Sequence, residues 1–226
     1  MSRGTRTATV TGAETRAKLM EGALRTLAEQ GIAKVSARSI AATAGVNQGL
    51  VFYHFGSVDE LLSAACRHGA EQRVARYRER LDRVRSLSEL LELGRELHAT
   101  ERAEGNVAVL AQLLAGAQNQ PRLAPATAAG LALWIDEIER VLVRVLADTP
   151  LAGFVDSPGL ARAVASAFVG LELYEGVDED GALRALDALD QLSGLVSVLE
   201  GLGPVAQRAV RARLRRGTGG RVRGRG

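Results

Sequence analysis

Residues 36–62 read SARSIAATAGVNQGLVFYHFGSVDELL. Ser36 precedes a short apolar-periodic stretch and is placed to accept a hydrogen bond from the first turn of a helix over Ala37–Ala44. That helix should turn Ile40, Ala41 and Ala44 inward. Gly45 stands where a tight turn needs positive φ, and Val46 follows as an apolar plug. A third helix is expected from Asn47 to Phe55. Ser57-Val58-Asp59-Glu60 then has the form of a capping box ahead of Leu61, Leu62 and Ala65. Small residues at a helix crossing, a glycine in the turn and polar side chains on the second helix make a helix-turn-helix. Its second helix fits a major groove while the first braces it. Asn47, Gln48, Tyr53 and His54 supply the polar face, and Phe52 is assigned to the core. A helical hairpin unrelated to DNA is the plainer alternative, but paired amides directly behind the turn match the donor–acceptor edge of adenine.

Working outward, residues 1–13 are small, polar and aperiodic and read as a mobile arm. A helix is expected from Glu14 to Gln30, with Leu19, Met20, Ala23, Leu24, Leu27 and Ala28 on one stripe and Gly31 as its stop. The helix-turn-helix domain thus covers 14–57, and a connecting helix covers 58–85. Residues 86–207 carry helical stripes throughout, among them Leu87/Leu90/Leu91/Leu97/His98 and Val107/Leu110/Leu113/Leu114. A long helix follows around Trp134, Pro150 and Pro158 mark a loop, and two helices near 158–175 and 181–201 end the body. Ala163, Ala167 and Gly170 recur on one face of the former, which suits close approach in a homodimer. Residues 208–226 form an Arg/Gly-rich tail expected to be disordered. The fold class is all-α: an N-terminal three-helix DNA-binding domain and a larger helical regulatory and dimerisation domain.

Charge is segregated along these divisions. Residues 1–55 carry a net +4, residues 56–207 a net −9 and residues 208–226 a net +8. A basic front on an acidic body points to a polyanionic partner for the front. The single Cys66 excludes an internal disulfide framework. No apolar run approaches the roughly 18–20 residues that span a bilayer. The first twenty residues lack the apolar core of a secretory signal. A cytoplasmic protein without a membrane partner is expected.

With its preceding helix ending at Gly31, Ile40-Ala41, Ala44-Gly45-Val46, Tyr53-His54-Phe55, Ser57 and Leu61-Leu62, the segment over about residues 13–73 resembles the TetR family of bacterial repressors. The resemblance implies phosphate anchoring by Ser36 and His54. It also implies base or groove contacts by Arg38, Asn47, Gln48, Leu50 and Tyr53, with Gly49 permitting close backbone approach. Three positions depart from the family pattern: Phe52 where a phosphate-binding Tyr is common, Val58 where a Lys is usual, and Leu50 where Thr is frequent. Anchoring then rests more on Arg38, the arm and helix N-termini.

A protein of this resemblance would hold an effector in its body. Tyr77, His98, Gln112, Trp134, Phe168, Glu172 and Tyr174 are the candidates by residue type, each with packing or surface exposure as the plainer role. Few aromatics and many Leu and Ala residues suggest an apolar effector or a small cavity. Cys66-Arg67-His68 lacks a nearby third ligand and makes a poor zinc site. Asp178, Glu179 and Asp180 depart from a calcium loop because Gly181 falls too early. No catalytic set, metal site or cofactor motif is assembled, which argues against an enzyme. The reading is a dimeric transcriptional regulator on double-stranded operator DNA, a repressor released by a small molecule. The alternative is a constitutive DNA-binding protein with no effector.

Overall fold

Helix punctuation accounts for most of the helix ends in this chain. The computed structural model describes residues 12–147, 149 and 151–218, and ten α-helices lie among them with no strand. They are α1 (Gly12–Gln30), α2 (Ala37–Ala44), α3 (Gly49–Phe55), α4 (Val58–Arg83), α5 (Leu87–Ala103), α6 (Asn106–Asn119), α7 (Ala124–Leu146), α8 (Ser157–Glu175), α9 (Glu179–Glu200) and α10 (Pro204–Thr218). None is long and apolar enough to cross a membrane. Ser36 and Ser86 each cap a helix with the side-chain oxygen, which satisfies an otherwise orphaned amide.

Several boundaries differ from expectation. α1 opens at Gly12, so the proposed arm keeps only residues 1–11, which lie outside the described residues. Pro158 sits in the first turn of α8 rather than in a loop, where its missing N–H costs nothing. The tail is helical as far as Thr218. Its arginines look solvating by charge, yet Arg, Ala, Gln and Leu are all good helix formers, and the segment opens on a proline. Residues 219–226 lie outside the described residues.

The chain divides into two compact units, residues 1–71 with 108–130, and 72–107 with 131–226. In the first, Leu19, Met20 and Ala23 of α1 meet Ile40 and Ala41 of α2, Val51 of α3, and Leu61, Leu62 and Ala65 of α4. Ala28, expected on the buried stripe, is exposed because the stripe turns away after Leu27. Gly22 lies at the closest approach of α1 to α2: a Cβ there would stand 2.8 Å from Ala44 Cβ. Thr26, one turn on, is fully buried; its hydroxyl donates to the Gly22 carbonyl at 2.7 Å and lies 2.9 Å from the Thr43 hydroxyl, whose proton it can accept.

The second unit packs Tyr77, Leu81 and Val84 against Leu93, Leu97, Val141 and Val145, with Trp134 partly buried beside them. A neighbouring cluster joins Leu142, Leu146 and Ala161. On α8, Ala161, Ala165, Glu172 and Glu175 are the buried residues, so two carboxylates share the inner face with two alanines.

Candidate nucleic-acid interface

Ser36 accepts the Ser39 amide at 3.1 Å, while Ser39 Oγ accepts the Ser36 amide at 2.9 Å. This reciprocal cap closes the start of α2, and its second member was not anticipated. At the other end Gly45 has φ 67°, ψ 34°. Val46 donates to the Ala41 carbonyl at 3.0 Å and Gly45 to that of Ala42 at 3.2 Å. These paired bonds form a Schellman motif, which needs the left-handed conformation that glycine adopts without strain. Val46 packs into the core as expected.

Asn47 is not the first residue of α3. Its Oδ1 accepts the Gly49 amide at 2.8 Å, so the side chain competes for the backbone and holds the turn. α3 therefore starts at Gly49. Asn47, Gln48 and Gly49 are all exposed at its head, and Asn47 keeps its Nδ2 donors for another partner.

Within α3, Val51 is fully buried and anchors the helix, and Leu50 and Phe55 are half-buried against the same core. Leu50, implied by resemblance to be a groove residue, thus spends part of its surface on packing. Tyr53 is 81% exposed and Phe52 is 51% exposed. The assignment of Phe52 to the core is therefore wrong. Positions 49, 52 and 53 are spaced i, i+3, i+4 and share one face; that spacing, read apart from residue type, identifies Phe52. The exposed face joins a glycine to two aromatic rings.

His54 is half-buried, its ring edge-on to Tyr53 with centroids 4.9 Å apart. Arg16 of α1 donates to the His54 carbonyl at 2.9 Å and lies 4.2 Å from the Phe55 ring centroid. That side chain, absent from the expected site, ties the end of α3 to α1. Arg38 is exposed beside the Ser36 cap, and Arg25 donates to the Thr43 carbonyl at 3.0 Å. α4 opens with Ser57 Oγ accepting the Glu60 amide at 3.1 Å.

The seven effector candidates are not one group. Tyr77 and Trp134 are neighbours, their rings 6.1 Å apart. His98 meets Phe168 edge-on at 5.7 Å and faces Glu172. Gln112 belongs to the first unit, where its Oε1 lies 3.5 Å from the Ile32 amide. Tyr174 is half exposed and donates to Asp178 at 2.8 Å. A cleft of about 270 Å³ in the first unit is lined by Arg16, His54, Phe55, Arg67 and Ala126 among others, and none of the seven lines it.

Around His98 the second unit buries more charge than its sequence suggests. Glu101, Glu172 and Glu175 are each at least nine-tenths buried, as is His98. His98 Nε2 lies 2.7 Å from Glu175 but out of line for a hydrogen bond, and Nδ1 lies 3.6 Å from Glu172, too far for one. Tyr77 donates to Glu101 at 3.2 Å, Asn106 donates to it at 3.0 Å, and Arg73 stands 3.5 Å away. Arg102 pairs with Glu175. Burial, with Glu101 and Glu175 close by, pushes the Glu172 carboxyl up to about 7. Burial also raises Glu101, against the pull of Arg73. The surroundings of His98 and Glu172 are ionisable, whereas Trp134 and most of the Tyr77 ring pack among aliphatic side chains. Among the described residues no cluster of His, Cys, Asp and Glu suits a metal ion.

The sequence profile of the family described as bacterial regulatory proteins, tetR family, matches residues 19–65, the span from the buried stripe of α1 to Ala65. The HTH-type transcriptional repressor Rv3405c of Mycobacterium tuberculosis is 46% identical over 55 residues, 24% of this chain and 29% of the relative. The match therefore spans under a third of that relative's length. A solved structure described as a transcriptional regulator from Streptomyces coelicolor A3(2) is 26% identical, covering 80% of this chain and 98% of its own, with a TM-score of 0.62. The multidrug binding protein EbrR, solved with imidazole, is 28% identical, covering 78% of this chain and 94% of its own, with a TM-score of 0.54.

Proposed function

Because this chain is a TetR-family protein by its DNA-binding front, we propose that it is a homodimeric, sequence-specific regulator of transcription, a repressor that leaves a palindromic operator when a small effector binds. One observation carries the reading: a capped α2 and a left-handed Gly45 hold α3 so that Asn47, Gln48, Phe52 and Tyr53 stand exposed together. Asn47 Nδ2 and the Gln48 amide read base edges; Phe52 and Tyr53 pack on thymine methyls and the sugar-phosphate wall. Ser36, Arg38 and His54 bind phosphates, and Gly49 lets the backbone approach.

Two-fold symmetry requires half-sites at least one helical turn apart. The outward face of α8 and α9 supports a dimer: Ala163, Ala167 and Gly170 are exposed, as are Leu173, Tyr174, Val177, Leu183 and Leu189. Effector binding belongs to the second unit, where Tyr77 and Trp134, and His98, Phe168 and Glu172, are gathered. EbrR, a multidrug binding protein in its own right, supports a small-molecule effector.

Footprinting of this protein on the DNA flanking its own gene tests the proposal. A protected palindrome is expected, and Gln48→Ala should relax preference at one symmetric base pair, weakening binding by about 1–3 kcal/mol per lost contact. Equal weakening on all sequences would assign Gln48 to phosphate. Protection without sequence preference would remove the regulator reading.

A further inference from the structure

The last helix has a composition that the preceding reading leaves unused. From Gly201 to the C-terminus the sequence holds eight arginines and no acidic residue. Five of them, Arg208, Arg211, Arg213, Arg215 and Arg216, fall within α10. At the helical rise these five positions span about 12 Å, so α10 carries roughly one positive charge per 2–3 Å of its length. Double-stranded DNA carries about one negative charge per 1.7 Å of axis. The two linear charge densities are of the same order and opposite sign.

We propose that α10 is a second nucleic-acid contact, binding the phosphate backbone of double-stranded DNA without reading bases. A polyanion is the partner that fits, because the segment holds no acidic residue of its own. A lipid surface fits less well. An interfacial helix needs a bulky apolar face with Trp, Phe or Leu, and α10 offers only Val205, Val210 and Leu214 beyond its alanines, with no aromatic residue after Tyr174. Val205 is 81% exposed at the start of the helix, too little to anchor it. Arginine also suits the role by type, since its planar fork engages phosphate oxygens in pairs. The segment then supplies affinity that is blind to sequence while α3 supplies the choice of site.

The experiment compares three full-length or near-full-length proteins: the natural chain, a chain ending at Gly203, and a chain with Arg208, Arg211, Arg213, Arg215 and Arg216 each changed to Gln. The glutamines keep helix propensity and remove only charge. Affinity for operator duplex and for random-sequence duplex is measured across a salt series. Each phosphate neutralised contributes about 0.9 to the slope of log affinity against log salt. The glutamine chain should lose about 3–4 from that slope per chain on both duplexes, the truncated chain at least as much, and base preference should survive in each. Slopes unchanged in both variants overturn the proposal. So does unchanged DNA binding joined to lost binding of vesicles made from equal parts phosphatidylcholine and phosphatidylserine, which would assign α10 to membranes. The proposal rests on the DNA-binding reading of the front, but the two fail separately. Loss of slope with no operator preference in the natural chain would sink the regulator reading and leave the α10 contact standing.

Discussion

Replacing Gly22 with alanine isolates the contact on which the DNA-binding unit is built. The new methyl carbon would stand 2.8 Å from Ala44 Cβ and 3.2 Å from Ala44 Cα and N. Carbon atoms pack favourably at about 3.5–4.0 Å, so the two helices must separate by roughly 0.7 Å or more. The obstacle is partly backbone, and no rotamer change can relieve it. Overpacking of this kind costs about 1–3 kcal/mol. Alanine in a helix interior recovers about 0.5–1 kcal/mol relative to glycine. The net expectation is a loss of about 0–2.5 kcal/mol, against a gain at any site where the added methyl meets nothing. Gly94, inside α5, is the control, because an added Cβ there meets nothing within 4 Å. Gly94→Ala should gain about 0.5–1 kcal/mol from propensity alone. Urea unfolding followed by far-ultraviolet circular dichroism measures both. If Gly22→Ala stabilises the protein as Gly94→Ala does, the close crossing of α1 and α2 is not what holds the unit, and the reasoning fails.

Three further outcomes are expected. Gly45→Ala forces a left-handed conformation on an L-residue and should destabilise by about 1–2 kcal/mol; denaturant midpoints check it, and no change would mean the turn can be rebuilt. Glu172 is raised from 4.5 to about 7, so the folded state binds its proton more tightly than the unfolded chain does. Its stabilising share is therefore full below about 4.5 and fades as pH rises to about 7. Glu172→Gln should flatten the fall of Tm across that window, and a parallel fall in both proteins would acquit Glu172. Leu183→Arg places a charge on the exposed α8–α9 face, where Leu183 is 51% exposed. If that face joins two copies, light scattering should show the variant as a monomer with its thermal unfolding otherwise intact; an undisturbed dimer would relocate the interface.

The helix-turn-helix was legible because its determinants are local. Ser36 and Gly45 act on residues within five positions of themselves, and the pattern of α2 shows which side faces inward. Residue type misleads where position decides. Phe52 is apolar, yet it shares an exposed face with Gly49 and Tyr53. Asn47 reads as helical, yet its side chain holds the turn before α3. Arginines read as solvating charge, yet they are helix formers, and residues 208–218 are helical. The cluster around His98 was only half visible. His98 and Glu172 stand out by type, and their helical spacing already places Glu101 and Arg102 one turn from His98 on α5 and Glu175 one turn from Glu172 on α8; what the sequence does not show is that α5, α8 and Arg73 of α4 meet through tertiary packing. Gln112 and Tyr174 were picked by the same criterion and lie elsewhere.

The hold of Arg16 on the end of α3 bears on how that short helix opens. α3 has seven residues, too short to persist alone against the cost of nucleating a helix. Its order is borrowed from Val51 in the core and from Arg16, which joins the His54 carbonyl and the Phe55 ring. The two helices are therefore expected to open as one cooperative unit. In amide hydrogen exchange, Val51 through Phe55 should not fray ahead of the body of α1 but exchange along with it. Under the proposed function, a helix already ordered in this way adds little folding to the act of binding DNA.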